Sequence, residues 1–174
     1  EKSDEKIKIA RIAAELVEDE SVIFLDASTS AYFMIPFLAE KRNLTVITNG
    51  IKTLTALSEN NISCIGTGGE VINSCLAFVG EEAHRTIERY NANFCFFACR
   101  GISEDGRLTD ISQPENSVRA KMLEHSKQAY MLCTSDKMNK LYYHNLCSAD
   151  DISGIIKAET ADSCAPQNPQ HYIR

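Results

Sequence analysis

The chain has 174 residues, of which 44% are hydrophobic and 24% are charged, and its formal net charge at pH 7 is −6. This length and composition suit one globular domain with a sizeable core. The acidic balance argues against a nucleic-acid-binding surface spread over the whole domain, and no apolar run approaches the roughly 20 residues needed to span a bilayer. We therefore expect a cytoplasmic domain that makes no membrane contact.

The seven cysteines are scattered along the chain and do not form a pattern typical of a metal site. No pair has the CxxC spacing that zinc sites favour, and Cys95 and Cys99 lie in or beside an apolar run that predicts a strand. The histidines form no spaced cluster either. We expect reduced core thiols in a cytosolic protein, with no bound metal and no cofactor.

Hydrophobic periodicity predicts strands that alternate with helices. In chain order these are a helix over 4–18, a strand over 22–25, a helix over 30–41 with Pro36 as a point of kinking, a strand over 44–48, a helix over 51–58, strands over 62–65 and 94–98, a helix over 115–128, and strands over 129–133 and 152–156. Strands that are apolar throughout indicate burial on both faces of a parallel sheet.

The predicted fold class is therefore α/β, a Rossmann-like and mainly parallel sheet flanked by helices on both faces. We expect residues 1–160 to form this single domain. Residues 161–174 contain two prolines and show no periodicity, so we expect them to form a loose tail.

Polar or glycine-containing loops follow four of the predicted strands, at the edge where parallel sheets bind their ligands. They are Asp26–Ser30, Thr48–Gly50, Gly66–Gly69 and Thr134–Lys137. Helix N-termini favour anions, glycines allow close approach of the backbone, and hydroxyls and a lysine suit phosphate oxygens. Taken alone, each loop is more typical of an ordinary cap or turn. Their convergence on one edge of one sheet favours an anion-binding site.

The order of these motifs resembles the C-terminal sensor domain of the DeoR family of bacterial transcriptional regulators. The residues that carry the resemblance are Asp26-Ala27-Ser28-Thr29-Ser30, Leu44-Thr45-Val46-Ile47-Thr48-Asn49, Gly68-Gly69, Gly80, Arg100-Gly101-Ile102 and Ser135-Asp136-Lys137. The match extends over about residues 7–156. It implies a fold shared with ribose-5-phosphate isomerase and glucosamine-6-phosphate deaminase.

The resemblance also implies a non-enzymatic effector-binding and oligomerisation domain that senses a phosphorylated sugar or related metabolite. By that analogy Asp26, Ser28, Thr29 and Ser30 form the phosphate-side loop, and Asn49, Gly68, Gly69 and Lys137 surround the ligand. Operator DNA is then bound by an N-terminal winged helix-turn-helix that is absent from this chain, and the protein forms a homo-oligomer. The basic residues here support that division, because none of them forms a stripe suited to DNA.

Two departures from the family pattern bear on the ligand. Ser28 stands where the family has a glycine, and Thr134-Ser135-Asp136-Lys137 stands where the family has Asp-Ser-Ser-Lys. We expect a side chain at position 28 either to crowd a bound phosphate or to force the loop into a different shape. Asp136 lies close enough in sequence to neutralise the charge of Lys137.

Two other hypotheses stay open at this point. One is an active sugar-phosphate isomerase or deaminase, with Asp105, Asp110 or Glu115 as the general base. Asp105-Gly106 is more typical of a turn, and Glu115 after Pro114 is more typical of a helix start. The other is an assembly domain with a degenerate pocket, for which Ser28 is the best evidence.

Overall fold

The computed structural model describes residues 2–158 and Tyr172–Ile173. Its elements in chain order are α1 (Lys2–Glu15), β1 (Val22–Leu25), α2 (Thr29–Tyr32), α3 (Ile35–Leu38), β2 (Thr45–Thr48), α4 (Ile51–Glu59), β3 (Ser63–Gly66), β4 (Glu70–Ile72), β5 (Ala77–Val79), α5 (Glu81–Glu88), β6 (Ala92–Phe97), β7 (Gly101–Ile102), β8 (Arg107–Asp110), α6 (Gln113–Glu124), β9 (Ser126–Leu132), β10 (His144–Ser148), β11 (Gly154–Ile156) and β12 (Tyr172–Ile173). Single 3₁₀ turns cover Ser135–Lys137 and Ala149–Asp151.

The main sheet is parallel throughout, in the order β12-β11-β9-β6-β1-β2-β3. From β1 the chain first builds outward through β2 and β3 and then returns to β6 on the other side of β1. The strand order therefore reverses between β1 and β6, which is where parallel α/β sheets form their binding crevice.

Side chains of β1 alternate between two apolar cores because the sheet is covered on both faces. Ile23 and Leu25 pack in one core with helices α1 to α4, whereas Phe24 packs in the other core with α5 and α6. The predicted α/β fold with helices on both faces is confirmed.

The predicted helix over 30–41 is divided into α2 and α3. Pro36 has no N–H to donate to the carbonyl of Tyr32, and its ring crowds that carbonyl, so a continuous helix cannot pass through this point. The predicted helix over 115–128 ends earlier, at Glu124, because Ser126 already pairs with Ala92 of β6.

Two small antiparallel sheets, which the sequence analysis did not predict, lie outside the main sheet. One is the β4–β5 hairpin, and the other has the order β10-β8-β7. The predicted loose tail over 161–174 lies outside the described residues, except that Tyr172–Ile173 pair in parallel with β11. Within residues 2–158 and 172–173, no helix is long and apolar enough to cross a membrane.

Candidate functional site

A cleft of about 970 Å³ opens where the strand order reverses. The loop after β1 and the loop after β6 form its base, through Ala27–Thr29 and Ala98–Arg100. Residues 73–76 of the β4–β5 hairpin and Asp136–Lys137 after β9 also line it. The cleft therefore lies at the edge of the sheet that the sequence analysis predicts for a ligand.

Asp26 lies directly beneath the cleft and is 1% exposed. Its Oδ1 accepts hydrogen bonds from the backbone N and the Oγ of Ser28, at 3.1 and 2.5 Å. Its Oδ2 accepts from the backbone N of Ala98 at 3.1 Å and from Nε of Arg119 at 3.0 Å. Each oxygen of this carboxylate therefore accepts two hydrogen bonds, and together they connect the loop after β1 with the loop after β6.

Arg119 is the centre of a buried group that we call the arginine network, made of Asp26, Asp110, Asn116 and Arg119. Besides its bond to Asp26, the guanidinium donates through Nη1 to Asp110 Oδ2 at 3.1 Å and to Asn116 Oδ1 at 2.9 Å. Burial disfavours its charge, but the neighbouring carboxylates of Asp26, Asp110 and Glu115 outweigh burial and raise the pKa of Arg119. Paired charges of this kind hold a site in one geometry.

Asp110 ends β8 and has no spare acceptor capacity. Its Oδ1 accepts from the backbone N of Ile111 and of Ser112, at 2.7 and 3.2 Å. Its Oδ2 accepts from Arg119 and, at 3.0 Å, from the backbone N of Arg100. Asp110 thus links β8, the start of α6 and the loop after β6.

A second group of charges, which we call the lysine rim, consists of Lys2, Lys6, Asp136 and Lys137. Lys6 Nζ donates to Thr29 Oγ1 at 2.6 Å, and Lys2 Nζ pairs with Asp136 Oδ2 at 2.8 Å. Glu5 of the same helix accepts from the backbone N of Ser135 at 2.7 Å. The first two turns of α1 therefore contact both loops that carry the predicted phosphate-binding residues.

The titration behaviour of the lysine rim follows from these contacts. Burial, together with the charges of Lys137 and Lys2, lowers the pKa of Lys6. Hydrogen bonds from Lys2 and Thr134 lower the pKa of Asp136 to about 2. Asp136 is thus bonded to Lys2, whereas the sequence analysis expected it to neutralise Lys137.

Three of the predicted site residues line the cleft, namely Ser28, Thr29 and Lys137. Ser28 has an ordinary φ of −71°, and its Oγ caps α2 by accepting from the backbone N of Ala31. A serine at the family's glycine position therefore causes no backbone strain here.

The other predicted site residues do not line the cleft. Asp26, Ser30 and Asn49 are buried behind it, and Asn49 Nδ2 donates to the carbonyl of Phe78 at 3.0 Å, which anchors the β4–β5 hairpin. Gly68 and Gly69 lie in the turn before that hairpin. A Cβ on Gly69 would lie 2.5 Å from the carbonyl oxygen of Val79, so this glycine is required for packing against β5.

Arg119 and the hairpin residues 73–76 line the cleft but were not predicted from the sequence. An arginine on a helix is most often exposed. The burial of Arg119 depends on two aspartates outside its helix, Asp110, nine residues away, and Asp26, 93 residues away. The one local signal was the position of Arg119 beside Val118 and within one turn of Met122, both fully buried.

Two of the three candidate bases of the isomerase hypothesis, Asp105 and Asp110, have other roles, and the third, Glu115, lines the cleft. Asp105 is exposed and pairs with Arg107 in the predicted turn, and Asp110 belongs to the arginine network. Among the described residues, no group of three or more His, Cys, Asp or Glu could hold a metal ion. The thiols of Cys99 and Cys133 are buried, which raises their pKa values to about 11 and about 12.

Residues 1–159 match the model of the DeoR C terminal sensor domain. The chain belongs to this family. The sensor domain is 35% identical over 153 residues to the HTH-type transcriptional regulator YulB of Bacillus subtilis, covering 87% of the chain and 59% of that protein. It is 32% identical over 168 residues to the L-fucose operon activator of Haemophilus influenzae, covering 96% of the chain and 66% of that protein.

The sensor domain thus spans less than two thirds of the length of these relatives. In fold it is similar to ribose 5-phosphate isomerase A of Methanocaldococcus jannaschii, with a TM-score of 0.62 and 17% identity over 81% of the chain and 57% of the isomerase. At that identity the likeness concerns the fold alone. Because the relatives similar in sequence are transcriptional regulators, the family supports an effector-sensing regulatory domain and not an isomerase.

Proposed function

We propose that the cleft of this sensor domain binds a phosphorylated sugar or a related phosphorylated metabolite. The observation that carries the proposal is the charge of the cleft. Its lining includes six cationic side chains, Lys2, Lys52, Arg100, Arg119, Lys137 and Lys140, against three carboxylates, Asp110, Glu115 and Asp136. The chain as a whole carries a net charge of −6. A local excess of cations in an acidic protein favours an anionic ligand.

Two hydroxyls and one lysine of the cleft supply the donors that a phosphate group needs. The hydroxyls of Ser28 and Thr29 and the ammonium of Lys137 face the same cleft. Hydroxyl and ammonium donors suit the three acceptor oxygens of a phosphate, and bonds to a charged acceptor are about twice as strong as neutral ones. In this proposal Ser28, Thr29 and Lys137 contact the phosphate, whereas Asp26, Ser30, Asn49, Gly68 and Gly69 shape the loops from behind.

The comparisons support a sugar ligand. One relative, 32% identical, is named as an activator of an L-fucose operon. In the full-length protein, occupancy of the cleft would change the affinity for operator DNA of an N-terminal helix-turn-helix. We further propose that the full-length regulator is a cytoplasmic homo-oligomer, since a paired operator requires two copies.

The test compares phosphorylated sugars with their unphosphorylated parents. Glucose 6-phosphate and ribose 5-phosphate are expected to raise the melting temperature of the domain, because a ligand that binds only the folded state stabilises it by mass action. Glucose and ribose are expected to leave it unchanged. Titration calorimetry should then show that Thr29→Ala and Lys137→Ala each weaken binding by about 1.5–3 kcal/mol.

Lys127→Ala is the matched control, because Lys127 is an exposed lysine at the opposite end of β9. Equal affinity for wild type, Thr29→Ala and Lys137→Ala would place the ligand elsewhere. Equal stabilisation by a sugar and its phosphate would contradict phosphate recognition.

A further inference from the structure

Glu115 differs from the other carboxylates of the cleft in how its oxygens are used. Each oxygen of Asp110 accepts two hydrogen bonds, and Asp136 is bonded to Lys2 and Thr134. Glu115 lies 3.7 Å from Arg119 Nη2, which is an ion-pair distance beyond normal hydrogen bonding. Its side chain is only 18% exposed, so it has lost most of its hydration without gaining a hydrogen bond from its cationic neighbour.

A glutamate at this position of a helix is ordinarily held by the N-terminal cap of that helix. Ser112-Gln113-Pro114-Glu115 has the spacing of a capping box, in which the glutamate accepts from the backbone N of the N-cap serine. Half of that box is present, since the backbone N of Glu115 donates to Ser112 Oγ at 3.4 Å. The backbone N of Ser112, however, donates to Asp110 at 3.2 Å. Asp110 therefore takes the capping role and leaves the Glu115 carboxylate facing the cleft.

The hairpin residue that interacts with Glu115, Cys75, is a weak donor. Burial raises the pKa of the Cys75 thiol, and the charge of Glu115 and its hydrogen bond to that thiol raise it further. A thiol is a poor donor to a carboxylate, so this contact does not satisfy Glu115. A stronger donor from a ligand would replace it.

The charge around Glu115 is opposite to that of the lysine rim. Asp26, Asp110 and Glu115 surround one guanidinium, that of Arg119, which leaves two negative charges in excess. The nearby Arg100 side chain is 53% exposed and lies over the Tyr142 ring, 3.9 Å from Asp110. Counting Arg100 still leaves one negative charge in excess among these five side chains.

We propose that Glu115 is a specificity-determining residue that recognises the end of the effector farthest from its phosphate. This inference rests on the proposed function of the cleft. The effector then carries a hydroxyl or an ammonium group at that end, which donates to the Glu115 carboxylate. A second anionic group there is rejected, because like charges a few ångströms apart repel and neither finds a donor.

Three probes that share six carbons and a phosphate test this inference: glucosamine 6-phosphate, glucose 6-phosphate and 6-phosphogluconate. Glucosamine 6-phosphate carries an ammonium group at C2, glucose 6-phosphate carries hydroxyls at C1 and C2, and 6-phosphogluconate carries a carboxylate at C1. Wild type is expected to bind the first two at least about tenfold more tightly than 6-phosphogluconate. In Glu115→Gln this preference is expected to fall by about tenfold, because the repulsive charge is removed. Dissociation constants are measured by calorimetry.

Two further variants define the outcome. Glu115→Asp keeps the negative charge and should keep the preference against 6-phosphogluconate. Glu124→Gln changes an exposed glutamate of the same helix, which pairs with Lys121, and should leave that preference unchanged. The inference would be overturned if Glu115→Gln left the ratio of the dissociation constants of 6-phosphogluconate and glucose 6-phosphate unaltered. It would also be overturned if Glu124→Gln lowered that ratio as much as Glu115→Gln does. Neither result would contradict the proposed phosphate site. Failure of all three probes to bind wild type would overturn the proposed function and this inference together.

Discussion

The cleft is bounded by two groups of charges that are built in different ways. In the arginine network, the side chains of Arg119, Asp26 and Asp110 are 6, 1 and 9% exposed, and their polar atoms bond to one another and to the backbone. In the lysine rim, Lys2 and Asp136 are 65 and 46% exposed and form a single ion pair. Buried pairs are costly to break, whereas exposed pairs exchange readily with water and salt.

This difference assigns different tasks to the two groups. The arginine network joins the loops after β1 and β6 to the start of α6, so it holds the base of the cleft in one geometry. The lysine rim connects α1 with the loops after β1 and β9 through contacts that a ligand can replace at little cost. A rigid base beside an adjustable rim is the arrangement expected of a site that must both recognise a ligand and respond to it.

The largest expected effect comes from breaking the arginine network. Arg119→Met should lower the free energy of unfolding by about 3–5 kcal/mol, because Asp26 and Asp110 then remain buried without their counter-charge. Urea denaturation measures the loss. Arg107→Met, which removes an exposed pair with Asp105, should leave stability essentially unchanged. Similar stabilities for the two variants would mean that the network does not hold the base of the cleft.

A smaller loss is expected from a substitution remote from both groups. Gly69 has a φ of 124°, and its substitution by alanine brings Cβ to 2.5 Å from the carbonyl of Val79. The strained backbone alone costs about 1–3 kcal/mol. Gly68→Ala, at a φ of 65° with open space around it, should cost about 1 kcal/mol.

The Gly69 variant also separates stability from binding. The folded fraction of Gly69→Ala should bind a sugar phosphate with unchanged affinity, because Gly69 does not line the cleft. Calorimetry below the melting transition checks this. A large loss of affinity in that variant would return Gly69 to the set of ligand-binding residues.

The smallest effect is expected in the lysine rim, and it depends on pH. The pKa of Asp136 is lowered from 3.8 to about 2, so its ion pair stabilises the folded state above pH 4. That contribution is lost as the pH falls from about 4 to about 2, where the carboxylate becomes protonated in the folded state. Asp136→Asn should therefore flatten the pH dependence of unfolding in this window. Lys2→Ala should flatten it as well, and an unchanged slope in both would exclude the pair.

The strand bounds predicted from the sequence were most accurate for β1 and β2. These strands are short apolar runs bounded by polar residues, and that pattern is local. The sequence analysis failed where long-range contacts decide the outcome. Ser126 pairs with β6 instead of extending α6, and Arg119 is buried because two aspartates from β1 and β8 meet it. The Ser126 contact leaves no trace in the neighbouring residues, and the local signal for Arg119 is limited to its position beside Val118 and within one turn of Met122, both buried.

The sequence by itself determined the α/β class, the family and the identity of the polar loops, because each depends on residues close together in the chain. The tertiary structure decided which loops meet. The loops after β1 and β9 share one cleft, whereas the Gly68-Gly69 turn packs against β5. The reason is that the order of the strands reverses between β1 and β6 and not beside β3. Strand order is set by packing over the whole sheet, so no single motif specifies which strand ends become neighbours.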